Sequence, residues 1–514
     1  MKPTFKPGHL LPAVLFCFFL SLPCYGATKY VSTTGNNANS GNSWAQAWRT
    51  LQYAADQVNA GDSVWIADGN YVGFDIRTTG TAAAPIVFIT SGSNAVIDTH
   101  NPVTMDGINV ENADYIEING VRVINQPRNG IRLVFANNCI VRNTYCDNNF
   151  ERGIFTGFTD DILLEYNECL NSIDEHGIYV SNSSDRSIIR YNTCHHNNRG
   201  GIQINADASQ GGDGISTDPE LYGNVIYENG VAGGGAINLD GVQGAFIYNN
   251  LLYENHATGI ALFQQDGAEP SINAVIAHNT IINASNARWC ILAVNGSSGA
   301  QVYNNIIINQ HAWRGSIALD PDAVPDFDSD YNIVVNSLSN DGDGQTMTLS
   351  QWQAAGYDAH SQIADPLAEI FILPGTDYHL LNNAQAVNAG NVAFSFGITT
   401  DIEGTPRPQG AQVDMGAYEA ESALSVTDDE EENPVNNEPY AKGISITSAS
   451  ITWSRGLNGT LGLYNMEGKL MAHADITAAG ELSFDDLIPG LYLATVHTFQ
   501  GVQWSKGFVY VGKK

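Results

Sequence analysis

One short pattern recurs through this chain and leaves few folds open to it. The segments Ile140-Val141-Arg142-Asn143, Leu164-Glu165-Tyr166-Asn167, Ile189-Arg190-Tyr191-Asn192 and Leu221-Tyr222-Gly223-Asn224 align with one another. So do Ile247-Tyr248-Asn249-Asn250, Ile276-Ala277-His278-Asn279 and Val302-Tyr303-Asn304-Asn305, the closing asparagines lying 24, 25, 32, 26, 29 and 26 positions apart. A second element follows in register: Gly130-Ile131, Gly153-Ile154, Gly177-Ile178, Gly201-Ile202, Ala236-Ile237, Gly259-Ile260, Cys290-Ile291 and Ser316-Ile317. Three short β-type runs per repeat, parted by Asn/Gly turns and without helical periodicity, predict a parallel β-solenoid. An asparagine column at a tight bend can bond its amides from rung to rung and satisfy polar groups that stacking would otherwise orphan. Cys169 and Cys194 share one offset, which predicts an inward stack. The five cysteines beyond residue 26 are odd in number and lack CxxC spacing, so they read as buried thiols.

Charge narrows the function. The 514 residues carry 54 acidic and 22 basic side chains, a formal charge of −32. A general nucleic-acid binder needs the opposite balance. The eight lysines are Lys2, Lys6, Lys29, Lys442, Lys469, Lys506, Lys513 and Lys514, so the long middle of the chain holds no lysine to serve as a base. Residues 1–26 read as a secretory signal: basic Lys2 and Lys6, an apolar stretch from Leu10 to Leu22, and small Cys24 and Gly26 at the cleavage positions. Residues 421–439, with Asp428-Asp429-Glu430-Glu431-Glu432, read as a solvated acidic linker. Residues 440–514 change character again, to strand-turn-strand runs such as Gly462-Leu463-Tyr464-Asn465 and Leu487-Ile488-Pro489-Gly490-Leu491-Tyr492, which predict a small β-sandwich.

The repeat array resembles a right-handed parallel β-helix of the pectate-lyase type. Tyr30-Val31-Ser32, Trp48-Arg49-Thr50, Gly61-Asp62-Ser63-Val64 and Gly69-Asn70-Tyr71 resemble the opening rungs of secreted β-helix glycan enzymes. Asp358-Ala359-His360-Ser361, Asp401-Ile402-Glu403-Gly404 and Val413-Asp414-Met415-Gly416-Ala417-Tyr418-Glu419 resemble their closing segment, so the likeness covers roughly 29–420. The C-terminal module resembles the sorting domain of bacterial type IX secretion substrates. The resemblance implies an all-β chain, a single-stranded right-handed parallel β-helix over 27–420 followed by the small sandwich. It also implies a secreted or cell-surface monomer that meets the type IX machinery.

Strand alternation sorts the faces of the rungs. With Ile178 inward, Tyr179 points outward, and stacked rungs add Arg132, Phe155, Gln203, Asn205, Asn238 and Asp240 to the same wall. Polar and aromatic groups together suit a carbohydrate. The turn before these strands carries Arg152, Glu175, His176 and Arg199, the densest set of acid/base groups in the chain. His176 and Tyr179 are the expected base and acid, with Glu175 beside them, and Arg152 and Arg199 neutralise a uronate carboxylate or an enolate-like transition state. The 32-residue repeat inserts a loop with Asp207 and Asp213, which with Asp240 form a candidate Ca²⁺ site. No organic cofactor is called for. His195-His196 lacks a complete metal spacing, and Asp160-Asp161 resembles the paired aspartates of polygalacturonases without that family's other motifs. The expected activity is polysaccharide cleavage, by a lyase on a uronate-containing glycan. A glycoside hydrolase with Asp/Glu acid-base chemistry, a uronate C5-epimerase and a non-catalytic glycan-binding adhesin stand as alternatives.

Overall fold

The computed structural model describes residues 26–420 and seven strands within 444–510. Apart from Gly26, the expected export signal lies outside the described residues, as does the expected linker at 421–439. The chain divides into two compact units between residues 423 and 424. The second holds an antiparallel sheet of three strands and another of four. No helix among the described residues is long and apolar enough to cross a membrane.

The first unit is a right-handed parallel β-solenoid of about twelve turns. Each full rung gives one strand to each of three parallel sheets, which hold twelve, twelve and ten strands. One rung shows the plan: Leu163–Glu165 in the first sheet, Glu168–Leu170 in the second and Ile178–Ser181 in the third. Alternation sends Ile178 and Val180 into the interior, where neighbouring rungs stack like on like. Cys146, Cys169 and Cys194 form one such column, and all five cysteines of the solenoid are free and buried.

The corner between the first and second sheets explains the repeat. Its first residue takes the left-handed conformation, from Asn143 at φ 53° through Tyr166, Tyr191, Asn249 and His278 to Asn304. Its second residue turns inward. There Asn250 accepts from the backbone N–H and Nδ2 of Asn224, both at 3.0 Å, and donates to the carbonyl of Leu221 at 2.8 Å. Asn167, Asn192, Asn224, Asn279, Asn305 and Asn332 repeat the arrangement, so every polar group of this buried bend finds a partner one rung away. The column expected to begin at Asn143 begins one residue later. Val141 pairs with Leu164 and Arg142 with Glu165, which sets Asn143 opposite Tyr166. Thr144 takes the ladder position, donating its N–H and Oγ1 to Asn167 Oδ1 at 3.1 and 2.7 Å. Asparagine tolerates the left-handed bend itself, so at this rung it serves the turn and not the ladder. A shorter ladder of Asn197, Asn229 and Asn255 follows the second-sheet strands.

Two C-terminal elements pack on the solenoid. Helix Leu349–Ala354 places Trp352 in the interior core, and Trp352 Nε1 donates to the buried Asp358 at 2.8 Å. Residues 370–420 then fold back over the second sheet's outer face: Ile370, Phe371, Tyr378, Met415 and Ala417 pack with Leu251, Ile282 and Ile306. The fully buried Arg407–Glu419 pair, at 2.8 Å, braces this segment internally, and Ala417 N–H, donating to Thr280 Oγ1 at 2.9 Å, fastens it to the solenoid. The third sheet's outer face receives no such cover from it.

Because each ladder amide bonds to both neighbours, Asn250→Ala should lower the unfolding free energy by about 1–3 kcal/mol, the cost of orphaning buried backbone groups. Exposed Asn42→Ala should change it by under about 0.5 kcal/mol. Denaturant midpoints measured side by side check the contrast.

Candidate active site

A cavity of about 460 Å³ lies on the third sheet's outer face. Its floor follows from register. Arg132, Phe155, Tyr179, Gln203, Asn238, Ala261 and Leu292 are successive Cα partners across seven strands, and Ser181, Asn205, Asp240 and Phe263 form a parallel column. Within the cavity the floor runs from Tyr179 to Leu292. Two rims flank it. The turn before the strands supplies Arg152, Glu175, His176, Arg199 and Arg288; the turn after them supplies Gln265, Asp266 and Asn295, next to Asp240 at its strand's end. One wall is therefore mainly cationic and the other is carboxylate and amide.

Arg132 and Phe155 sit on the expected column but outside the cavity. Arg132 is held by Asn109 at 2.5 Å and Glu111 at 3.0 Å. Phe155 stacks on Tyr179 at 5.7 Å and supports it from the neighbouring rung. Arg152 is locked in place: its guanidinium pairs with Glu151 at 2.7 Å and Glu175 at 2.5 Å and lies over the Tyr179 ring at 4.6 Å. Burial raises the carboxyl pKa of Glu175, and the Arg152 charge opposes the rise.

His176 is the best-defined group. It is 6% exposed, and its Nδ1 accepts the Gly200 N–H at 3.0 Å. That bond fixes the proton on Nε2. Burial, with the charges of Arg152 and Arg199, lowers the imidazole pKa to about 3. A neutral ring with a protonated Nε2 can donate a hydrogen bond, but its one basic lone pair is occupied. The base expected at this position is thus recast as a donor. Tyr179 lies 5.4 Å away, ring to ring. Its Oη accepts from Asn205 Nδ2 at 3.0 Å, so its own proton is available to a ligand, and burial holds its pKa above the ordinary value. Asn205 Nδ2 also donates to Asp266 Oδ2 at 3.1 Å, while Asn205 Oδ1 is buried without a partner. Gln203 and Asn238 are bonded to each other at 2.6 Å on the floor.

The three aspartates proposed to bind Ca²⁺ do not converge. Asp207 accepts from Ser209 N–H and Asp213 from Ile215 N–H, each closing its own turn. Asp240 accepts three amides, from Gln265, Asp266 and Gly267, at 2.8–3.2 Å, and so anchors the loop that carries Asp266. Among the described residues no three His, Cys, Asp or Glu side chains are placed to share a metal ion. The 206–218 insertion instead leans on that same loop, through Ala208 N–H to Asp266 O at 3.0 Å.

Two charged cavity residues, Arg288 and Asp266, are absent from the expected site. Arg288 stands two residues before Cys290, just as Arg199 stands two before Gly201, so the Gly-Ile column carries the signal that finds it. Asp266 lies on a loop after a strand, where no repeat constrains position.

The lowered pKa of His176 makes a testable statement about pH. Between its ordinary value of 6.5 and about 3, the unfolded chain binds a proton at this imidazole that the folded chain does not. This site therefore makes the protein less stable as pH falls through that window. Imidazole ¹⁵N NMR at pH 5 should show the neutral, Nε2-protonated tautomer; a titration midpoint near 6.5 would contradict it.

Comparison with known proteins agrees on architecture. The family described as "Pel9A-like, right handed beta helix region" matches residues 29–173, ending just short of His176. No curated protein matches the chain. A solved pectate lyase, Pel9A, is 16% identical with a TM-score of 0.53, over 76% of this chain and 96% of its own. A rhamnogalacturonan lyase is 15% identical with a TM-score of 0.41, over 68% of this chain and 91% of its own. An alginate lyase from Paenibacillus sp. str. FPU-7 is 20% identical with a TM-score of 0.36, over 51% of this chain and 93% of its own. At these identities the Pel9A likeness establishes the fold: a right-handed parallel β-helix similar to that of a pectate lyase.

Proposed function

We propose that the third-sheet cavity binds a carboxylate-bearing polysaccharide and cleaves it by β-elimination. One observation carries this reading. In a chain of charge −32, the described arginines without an ion pair are Arg49, Arg122, Arg199 and Arg288, and two of these four share the basic rim of one cavity. Carboxylates are abundant in this protein, so an unpaired guanidinium at a cavity points to a carboxylate supplied by the ligand.

The residues divide the chemistry as follows. Arg199, with His176 Nε2–H beside it, neutralises the sugar carboxylate and makes the adjacent C–H acidic. Asp266 on the opposite rim accepts that proton, the role left open by the missing lysines. The electron pair forms the new carbon–carbon double bond, and the Tyr179 hydroxyl gives its proton to the departing glycosidic oxygen. Asn205 couples acid and base by holding both. Gln203 and Asn238 offer amides to sugar hydroxyls. The Pel9A likeness supports the scaffold for this reading and assigns none of these residues. Export through the N-terminal signal and the C-terminal unit belongs to the same proposal.

A second reading has one observation behind it: Glu175 has its pKa raised by burial, and with Asp266 it could form the acid/base pair of a glycoside hydrolase. A panel of uronate-containing and neutral glycans separates the two. The lyase reading expects new reducing ends together with the ultraviolet absorbance of an unsaturated uronate, and losses of about 100-fold or more in kcat for Tyr179→Phe and Asp266→Asn. Reducing ends without that absorbance select the hydrolase, and binding without either signal selects an adhesin.

A further inference from the structure

The two free arginines stand on one rim but not side by side. By register, the turn position of Arg199 is followed along the solenoid by Gly234, then Ala257, then Arg288. Arg288 is thus three rungs beyond Arg199, about 14 Å at a rung spacing of about 4.8 Å. The floor beneath this stretch is uncharged, Ala261 and Leu292 succeeding Asn238, and on the turn of the intervening rung Glu254 is bonded to Gln310 and His256 to Asn286. Both arginines are exposed. Asp343 feels the Arg288 charge, which helps to lower its pKa, but makes no ion pair with it: Asp343 accepts Trp289 Nε1 at 2.6 Å and two guanidinium bonds from Arg314, at 3.1 and 2.8 Å.

The opposite end of the cavity is built differently. Arg152 is braced by two glutamates and stacked on Tyr179, and with His176 and Asp266 it surrounds the proposed reaction centre. Arg288 touches none of these groups. A guanidinium held away from the chemistry, over a smooth apolar stretch, has a binding task.

We infer that Arg288 forms a distal subsite that reads a second carboxylate of the same glycan chain, several sugars from the scissile bond. This rests on the proposed uronate specificity and adds to it. The substrate lies along the solenoid axis, the sugars over Gly234 and Ala257 pass unread, and the ligand class is an oligomer or polymer carrying carboxylates on non-adjacent sugars. A monouronate or a short fragment reaches Arg199 alone.

Size-defined oligogalacturonates and oligomannuronates, from dimer to octamer, test it. For cleavage by the wild-type enzyme, kcat/KM should rise with length until the distal sugar is bound and then level off. In Arg288→Ala the loss should grow with length to about tenfold on the longest chains, carried in KM with kcat nearly kept; Arg288→Lys should restore part of it. Arg199→Ala should instead lose activity at every length. Calorimetric binding of the same series to Tyr179→Phe, with and without Arg288→Ala, decides the matter independently of turnover. Length-dependent affinity that needs Arg288 supports the subsite even if no glycan is cleaved, in which case only the lyase reading falls. Cleavage with a length profile unchanged by Arg288→Ala overturns the subsite and leaves the lyase reading standing. Absence of both binding and cleavage across both series overturns both.

Discussion

The asparagine ladder is the constraint on which the rest of this molecule depends. A parallel solenoid must bend its chain at every sheet boundary, and each bend brings backbone amides into the interior. Here a buried side-chain amide at the first corner satisfies them, bonding both to the rung before and to the rung after. That arrangement ties the rungs into one register. Once it is set, Tyr179, Gln203 and Asn238 must stack as a floor, and the turns before and after them must stack as rims. The cavity is therefore a consequence of vertical register more than of any single loop.

Electrostatics then give the cavity its character. The fold-back segment of residues 370–420 covers the second sheet through apolar packing and the Ala417 N–H to Thr280 Oγ1 bond, and a fully buried Arg407–Glu419 pair braces the segment internally. On the open third sheet, Arg152, Arg199 and Arg288 collect on one rim, where Glu175 pairs with Arg152, and Asp266 stands on the other, while burial and the charges of Arg152 and Arg199 lower the His176 pKa. Neutrality matters: a protonated imidazole would compete for the carboxylates of the protein, whereas a neutral Nε2–H is free for a ligand oxygen. Asp240 contributes from behind, using three backbone amides to aim the loop that bears Asp266.

Much of this was legible in the sequence, for a physical reason. In a stacked fold, position in the repeat determines position in space, so the Gly-Ile element alone sorted Tyr179, Gln203, Asn205, Asn238 and Asp240 onto one face and set Arg152, His176 and Arg199 on its edge. The same logic reaches Arg288. What escaped was whatever the repeat does not control. Asn143 and Thr144 differ by one residue, and only pairing shows which of them joins the ladder. Arg132 has the right column but is consumed by Asn109 and Glu111. His176 has the right place, yet a single amide from Gly200 fixes its tautomer and removes it as a base. Asp207 and Asp213 look like ligands in sequence, but each closes its own turn. Loops outside the repeat, including the one with Asp266, left no periodic trace.

The central claim is that an anionic glycan lies along the third sheet with its carboxylate on the basic rim. A crystal structure of Tyr179→Phe soaked with a uronate oligomer tests it most directly. The account predicts a sugar carboxylate hydrogen-bonded to Arg199 and within reach of His176 Nε2, its glycosidic oxygen facing position 179 and the chain running toward Arg288. An oligomer seated elsewhere, or in the cavity with its carboxylates turned from Arg199, would contradict it.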